Sequence, residues 1–203
     1  MTISPGSPLI VHSKQLLSKY NSGAKIGRYL DLLEQENKKF NLVSRETTHR
    51  DLEKLAAESL VPFEILTKRK YQNYLDIGSG GGLPSFPIML SFEIQNPVLI
   101  ERTKKKSVAL RRFALDLGLS AKVLSQNLDE SKLNQKFDLI TLRLVRLSKN
   151  LLGQIEDLLA PDGSFVYFAR FDETLKNPGL KYSSYPFTTG HDSPIKSFTI
   201  FTR

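Results

Sequence analysis

The chain has 203 residues, a formal net charge of +8, 40% hydrophobic and 25% charged residues, which is the size of one domain with a buried core and the composition of a soluble protein. No apolar run approaches the ~20 residues that cross a bilayer, and the N-terminus lacks the basic and apolar regions of a secretory signal, so no membrane partner is expected. The absence of cysteine excludes disulfides, thiolate metal sites and cysteine nucleophiles and fits a cytoplasmic location, while three scattered histidines (His12, His49, His191) do not make a zinc site, so no metal is expected.

Residues 1–13, with two prolines, one glycine and three serines, read as a flexible leader. From Lys14 to about Lys39 the apolar positions Leu16, Leu17, Tyr20, Ile26, Tyr29, Leu30, Leu33 and Phe40 recur at helical spacing, broken into two helices at Asn21-Ser22-Gly23. Thr47-Thr48 followed by Leu52, Leu55, Ala56, Ser59 and Leu60 predicts a third helix ending at Pro62, and a short fourth over 63–69. Residues 14–70 are therefore expected to form a helical lid, forming one compact unit with a second region, 71–203.

In that second region the rhythm changes. Tyr74–Ile77 predicts a strand, Pro84–Ser91 a helix, Pro97–Glu101 a strand, Lys104–Leu117 a helix stopped at Gly118, Ala121–Ser125 and Phe137–Leu142 two strands. Ser148–Leu159 is a predicted helix ended by Pro161-Asp162-Gly163, Ser164–Ala169 a strand, and Tyr185–Thr188 with Phe198–Phe201 a final hairpin. Alternating strands and helices imply an α/β fold with a mostly parallel sheet covered on both faces, whose ligand sits beyond the carboxyl ends of the strands at the topological switch point.

The most informative stretch is Leu75-Asp76-Ile77-Gly78-Ser79-Gly80-Gly81-Gly82-Leu83-Pro84, with four glycines in five positions. Only residues without a Cβ allow so tight a turn and so close an approach of backbone to ligand. Its spacing differs from the Gly-x-Gly-x-x-Gly that cradles a dinucleotide pyrophosphate, so NAD is the disfavoured use. The carboxylate of Asp76 would repel a pyrophosphate but suits an amino group, directly or through water, which points to S-adenosylmethionine and a methyltransferase. Gly78, Ser79, Gly80, Gly82 and Leu83 are the expected cofactor contacts in the turn. Glu101, an acid closing the second strand, is placed to bridge ribose hydroxyls, against the alternative of an ion pair with Arg102 or Lys104. Gln126 and Asn127 follow the third strand, where backbone and an amide would meet adenine. The expected architecture is thus a Rossmann-like class I methyltransferase sheet with a C-terminal antiparallel hairpin, preceded by the helical lid.

Acceptor chemistry is narrowed by elimination. Pyrimidine C5 methylation by the common covalent route needs a thiolate, and exocyclic amines commonly use an Asn/Asp-Pro-Pro-aromatic turn where this chain has Thr141-Leu142-Arg143-Leu144-Val145. Guanine N7 carries an in-plane lone pair and loses no proton before attack, so a site without an evident base fits it. Basic residues lie where RNA would need them: Lys38, Lys39 and Arg45 on the lid, Arg146 after the fourth strand, and Arg143 at that strand's carboxyl end. Each such cluster has a solvated helix face as its alternative, and Arg143 a structural ion pair.

These stretches together resemble the RsmG family (glucose-inhibited division protein B) of small-subunit rRNA guanine-N7 methyltransferases. The matching segments are Asn37-Lys38-Lys39-Phe40-Asn41-Leu42, Glu58-Ser59-Leu60, the glycine turn continuing to Pro87, Lys105-Lys106 with the helix to Leu115, and Phe137-Asp138 leading to Arg143. The resemblance covers residues 28 to 170. It implies S-adenosylmethionine-dependent methylation of guanine N7 in 16S rRNA, within the 30S subunit or its precursor, by an enzyme expected to act as a monomer. It also implies that Asn41 lies near the acceptor and that Arg143 helps hold RNA or cofactor, making these two the expected catalytic residues. Departures fall at Lys54-Leu55, where the family has Arg-His, at Gln126, where it has arginine, and at Ala169-Arg170-Phe171, where it has Leu-Lys-Gly; Arg170 keeps the positive charge toward RNA. The alternatives are a methyltransferase acting on another RNA, a protein or a small molecule, and a non-enzymatic RNA-binding protein that keeps the cofactor fold.

Overall fold

The computed structural model describes residues 7–20, 23–175, 179–190 and 193–203; the break at Asn21-Ser22 and His191 lie outside them. In chain order the elements are β1 (Leu9–Ile10), α1 (Ser13–Lys19), α2 (Gly23–Phe40), α3 (His49–Leu60), a 3-10 turn (Val61–Glu64), β2 (Lys70–Ile77), α4 (Ser85–Ser91), β3 (Glu93–Ile100), α5 (Lys104–Asp116) and β4 (Lys122–Leu124). There follow β5 (Phe137–Leu142), α6 (Lys149–Leu158), β6 (Leu159–Tyr167), a second 3-10 turn (Glu173–Leu175), β7 (Lys181–Thr188) and β8 (Lys196–Thr202).

One eight-stranded sheet runs in the order β1-β7-β8-β6-β5-β2-β3-β4. The strands β6, β5, β2, β3 and β4 are parallel, and β8 lies antiparallel to both β6 and β7, as the alternating pattern and the final hairpin predict. The chain winds outward from β2 through β3 and β4, then returns to place β5 on the other side of β2. That reversal opens a crevice beyond the carboxyl ends of β2 and β5.

Local sequence explains the boundaries. Thr48 and Asp51 form a reciprocal capping box at the start of α3, and the Ser148 side chain accepts the Leu151 amide to begin α6. Gly118, at φ +65°, follows α5 where a left-handed residue releases the chain. The run Tyr74-Leu75-Asp76-Ile77 is buried along its length because helices cover both faces of β2. Adjacent residues serve opposite layers: Tyr74 faces the α2–α5 side with Tyr29, Phe86 and Phe113, while Leu75 and Ile77 face α6 with Leu152, Ile155 and Phe165. Tyr29 of α2 stacks on Phe86 of α4, with ring centroids 4.9 Å apart and planes at 11°.

Three expectations are corrected. The leader is tied down from Leu9, because β1 adds to the open edge of β7 and the Val11 amide donates to the Thr188 carbonyl at 3.0 Å. No helix forms over 63–69; the 3-10 turn ends at Glu64, and Arg69 folds back so that its guanidinium donates to the Phe63 and Leu66 carbonyls. Pro161-Asp162-Gly163 does not separate α6 from its strand. It lies inside β6, at a register shift where Phe137 pairs with Leu159 but Leu139 with Ser164, so the missing proline N–H interrupts no regular ladder.

Asp138 of β5 locks the start of β2: one carboxylate oxygen accepts both the Gln72 and Asn73 amides at 2.8 Å, and the other accepts Lys68 Nζ at 3.3 Å. Burial would raise this carboxyl, but the Asn73 amide, Lys68 and the Gln72 amide outweigh it and hold it below the ordinary aspartate range. A carboxyl depressed in the native state contributes stability that is complete above the unfolded pKa and is lost as pH falls through the native one. We expect unfolding midpoints of the wild type to fall more steeply than those of Asp138→Asn between about pH 5 and about pH 3; parallel curves would remove Asp138 from the account.

Candidate active site

The carboxyl ends of β2, β3 and β5 open on a cavity of about 590 Å³, within the size range of small-molecule sites. The turn Gly78–Gly81 forms one wall; Ile77, Ile100, Leu128 and Val145 supply apolar surface. Glu101, Gln126 and Asn127 bring polar groups, and Leu42, Val43 and Leu55 close it from the helical segment.

The glycines divide their labour. Gly78, Gly80 and Gly82 all have positive φ (+73°, +56° and +96°), and a Cβ on Gly78 would come within 2.5 Å of Val145 Cγ2. At Gly82 a Cβ would sit 2.4 Å from the Phe86 ring, whereas at Gly80 the nearest atom is the Gly78 carbonyl oxygen at 3.8 Å. Gly78 and Gly82 are therefore demanded by packing, and Gly80 by conformation beside open space. The turn is braced by the Gly78 and Ser79 amides, which both donate to the Ile100 carbonyl (2.8 and 2.9 Å).

Glu101 is held by backbone amides, not by Arg102 or Lys104: Oε2 accepts from Gly80 at 2.9 Å and Oε1 from Thr103 at 2.7 Å. Its carboxylate is thereby oriented, and each oxygen keeps acceptor capacity for a hydroxyl.

Asp76 departs from expectation. It is fully buried, with Oδ1 accepting the Thr141 hydroxyl at 2.5 Å and Oδ2 the Ser85 hydroxyl at 2.8 Å, and it does not line the cavity. Burial pushes its pKa up against those hydrogen bonds. Strand alternation sends it toward α4, so it braces the turn from behind instead of meeting an ammonium group directly.

Arg143 departs as well, and the ion-pair alternative is what the structure contains. Its guanidinium donates to the Leu55 carbonyl (3.1 Å), Ser59 Oγ (3.2 Å) and Glu58 Oε2 (2.8 Å), and lies 5.6 Å from the centre of the Phe168 ring. Only 9% of the side chain is exposed. Burial lowers its pKa and Glu58 opposes that. The residue lines the cavity while its charge is turned into α3.

Asn41 does not line the cavity. It sits exposed at φ +50°, and its Oδ1 accepts Arg45 Nε at 2.6 Å; its neighbours Leu42 and Val43 reach the cavity instead. Lys39 is paired with Glu36 at 3.0 Å. Lys38 and Arg45 share a shallow cleft beside α2, and Arg146 and Arg170 are exposed. Of the departing positions, Leu55 and Gln126 line the cavity. Phe171 is core, 4.7 Å from Tyr182 and 4.9 Å from Phe201 between ring centroids.

Several lining residues escape sequence reasoning, among them Thr103, Leu128, Leu144 and Val145. Gly81 also does: Tyr29 donates to its carbonyl at 2.8 Å, and a Cβ there would meet Leu33 at 3.1 Å and Leu42 at 3.3 Å. A tyrosine on an otherwise apolar helical stripe was the available signal, because a buried hydroxyl needs a partner.

A family model described as rRNA small subunit methyltransferase G (GidB) matches residues 22–180. The ribosomal RNA small subunit methyltransferase G of Borrelia recurrentis (strain A1) is 32% identical over 154 residues, covering 73% of this chain and 71% of the relative. That of Chromobacterium violaceum is 32% identical over 142 residues, covering 68% and 66%. Among solved structures, an O-methyltransferase from Bacillus cereus in complex with SAH superposes with a TM-score of 0.61 at 15% identity, covering 86% of this chain and 90% of that one. A methyltransferase from Pyrococcus furiosus gives 0.60 at 16% identity, covering 89% and 97%. At such identities the two structures share the fold.

Proposed function

The chain belongs to the rRNA small subunit methyltransferase G family, and from that premise we propose that it methylates N7 of a guanine in 16S rRNA, using S-adenosylmethionine. The observation that carries the reading is the make-up of the cavity: among the described residues its one carboxylate, Glu101, is already held by two amides, and no histidine, aspartate or tyrosine lines it. A site without a free general base suits an acceptor that loses no proton.

The residues present fit the cofactor. Gly80 leaves backbone against open space, Glu101 offers oriented acceptors to ribose hydroxyls, Gln126 and Asn127 offer polar groups to the adenine edge, and Ile77, Ile100 and Leu128 offer apolar surface. When bound, S-adenosylmethionine supplies a methyl group on a sulfonium, which the guanine N7 lone pair accepts. The chain's contribution is positioning and exclusion of water: Leu42, Val43 and Leu55 cover the cavity from the α2–α3 side. Asp76 acts behind the turn, and Arg143 acts by anchoring α3 to the end of β5. Lys38, Arg45, Arg146 and Arg170 are the exposed cations proposed to meet RNA phosphates. Among the described residues no helix is long and apolar enough to cross a membrane. We further propose that the enzyme acts as a monomer on the 30S subunit or its precursor, in the cytoplasm.

Transfer of tritiated methyl from S-adenosylmethionine to 30S subunits from cells lacking this enzyme, followed by nucleoside analysis, tests the reading. Labelled 7-methylguanosine is expected. Label in another nucleoside, or none from a protein that binds the cofactor, would overturn the acceptor assignment.

A further inference from the structure

Immediately after β5 the chain presents a leucine that the fold does not use. Leu144 is 97% exposed and sits at φ +57°, a left-handed conformation uncommon for a branched, non-glycine residue. Single exposed leucines are ordinary. This one combines exposure, an unfavourable backbone conformation and a place in the wall of the cavity. Its neighbours explain how it is held there. Arg143 is fixed to α3 by Glu58, Ser59 and the Leu55 carbonyl, and Val145 occupies the space against Gly78 that a Cβ would need. Between these two anchored residues the Leu144 side chain is left exposed in the cavity wall.

Folding gains nothing from an apolar side chain left in water, and backbone strain of this kind clusters where a ligand will be met. The acceptor must arrive at that cavity. In an A-form helix N7 faces a deep, narrow major groove that proteins do not reach, so the target guanine has to be presented unstacked, with an apolar face uncovered. We propose that Leu144 is the acceptor-contacting residue that packs against the face of the unstacked guanine and so orients its N7 edge into the cavity. The inference rests on the function proposed above. It requires an apolar side chain at 144 but no particular hydrogen bond, and apolar side chains serve elsewhere as wedges against unstacked bases.

The test uses the full chain, 30S subunits from cells lacking the enzyme, and three variants: Leu144→Ala, Leu144→Asn and Leu144→Met. Wild type is measured first; no labelled 7-methylguanosine from it would overturn the proposed function and this inference together. With labelling present, Leu144→Ala and Leu144→Asn are expected to lower kcat/KM on 30S subunits about tenfold, the order of losing most of one leucine side chain's apolar contact. Leu144→Met should recover most of that loss, and S-adenosylmethionine affinity and thermal midpoints should stay at wild-type values in all three. Asparagine tolerates the left-handed conformation, so an unfolded variant is not the anticipated cause of its loss. Wild-type kcat/KM in the alanine and asparagine variants, or a matching tenfold loss of cofactor affinity, would overturn the role of Leu144 and leave the proposed function standing.

Discussion

Glu58→Ala is expected to destabilise the protein by about 3–5 kcal/mol, the range for removing one partner of a buried ion pair. The Glu58 carboxylate is almost fully buried between two cations from distant parts of the chain, Arg143 at 2.8 Å and Lys196 at 2.6 Å. Their fates on its removal differ. The Lys196 side chain is 43% exposed and can turn to solvent, whereas that of Arg143 is 9% exposed and cannot. A buried guanidinium without its counter-ion, left with only the Leu55 carbonyl and Ser59 Oγ, therefore remains under α3, and most of the loss comes from it. For a domain of this size the thermal midpoint should fall by roughly 10 °C. Glu58→Gln keeps an acceptor for Arg143 and should lose less. Because α3 also carries Leu55 into the cavity wall, both variants should weaken cofactor binding before they unfold. A midpoint for Glu58→Ala within a degree or two of wild type would mean that water reaches Arg143, and that the ion pair does not anchor the helix.

The second large effect is expected at Gly82. Alanine there must adopt φ +96° and place its Cβ 2.4 Å from Phe86 Cδ2 and 3.1 Å from the Tyr29 hydroxyl. Phe86 has no exposed surface and stacks on Tyr29, whose hydroxyl holds the Gly81 carbonyl, so the displacement has nowhere to go except into the glycine turn. Overpacking costs about 1–3 kcal/mol and the backbone strain a similar amount, about 1–3 kcal/mol. Gly118→Ala is the control. Its φ of +65° is also left-handed, but nothing lies within 4 Å of the added Cβ. Chemical denaturation should therefore show a loss about twice as large for Gly82→Ala as for Gly118→Ala. Equal losses would mean that conformation alone, without the Phe86 contact, demands glycine at 82.

The fold was readable because its signals are local. The buried run at Tyr74–Ile77, the capping residues Thr48 and Ser148, Gly118 after α5 and the alternation of strands with helices each act over a few residues, and their period reports which face is covered. The errors fall where a segment's state depends on something distant. Leu9–Ile10 becomes a strand only because β7 offers an open edge. Pro161 enters a strand only because β5 and β6 change register beside it.

The same division runs through the site. That the glycine turn, Glu101, Gln126 and Asn127 meet at one cavity was legible because a parallel sheet sends the ends of its strands to one place. The direction of each charged side chain was not. Asp76 and Arg143 stand next to the cavity in sequence, yet one turns to Thr141 and Ser85 and the other to Glu58, since a buried charge goes wherever its desolvation is best compensated. Those partners lie up to 85 residues away along the chain. The sequence by itself thus determined the fold class, the glycine turn and the family, all written in short-range pattern. Tertiary structure alone decided which carboxylate faces the cavity, which arginine holds α3, and that Leu144 is left exposed in the cavity wall.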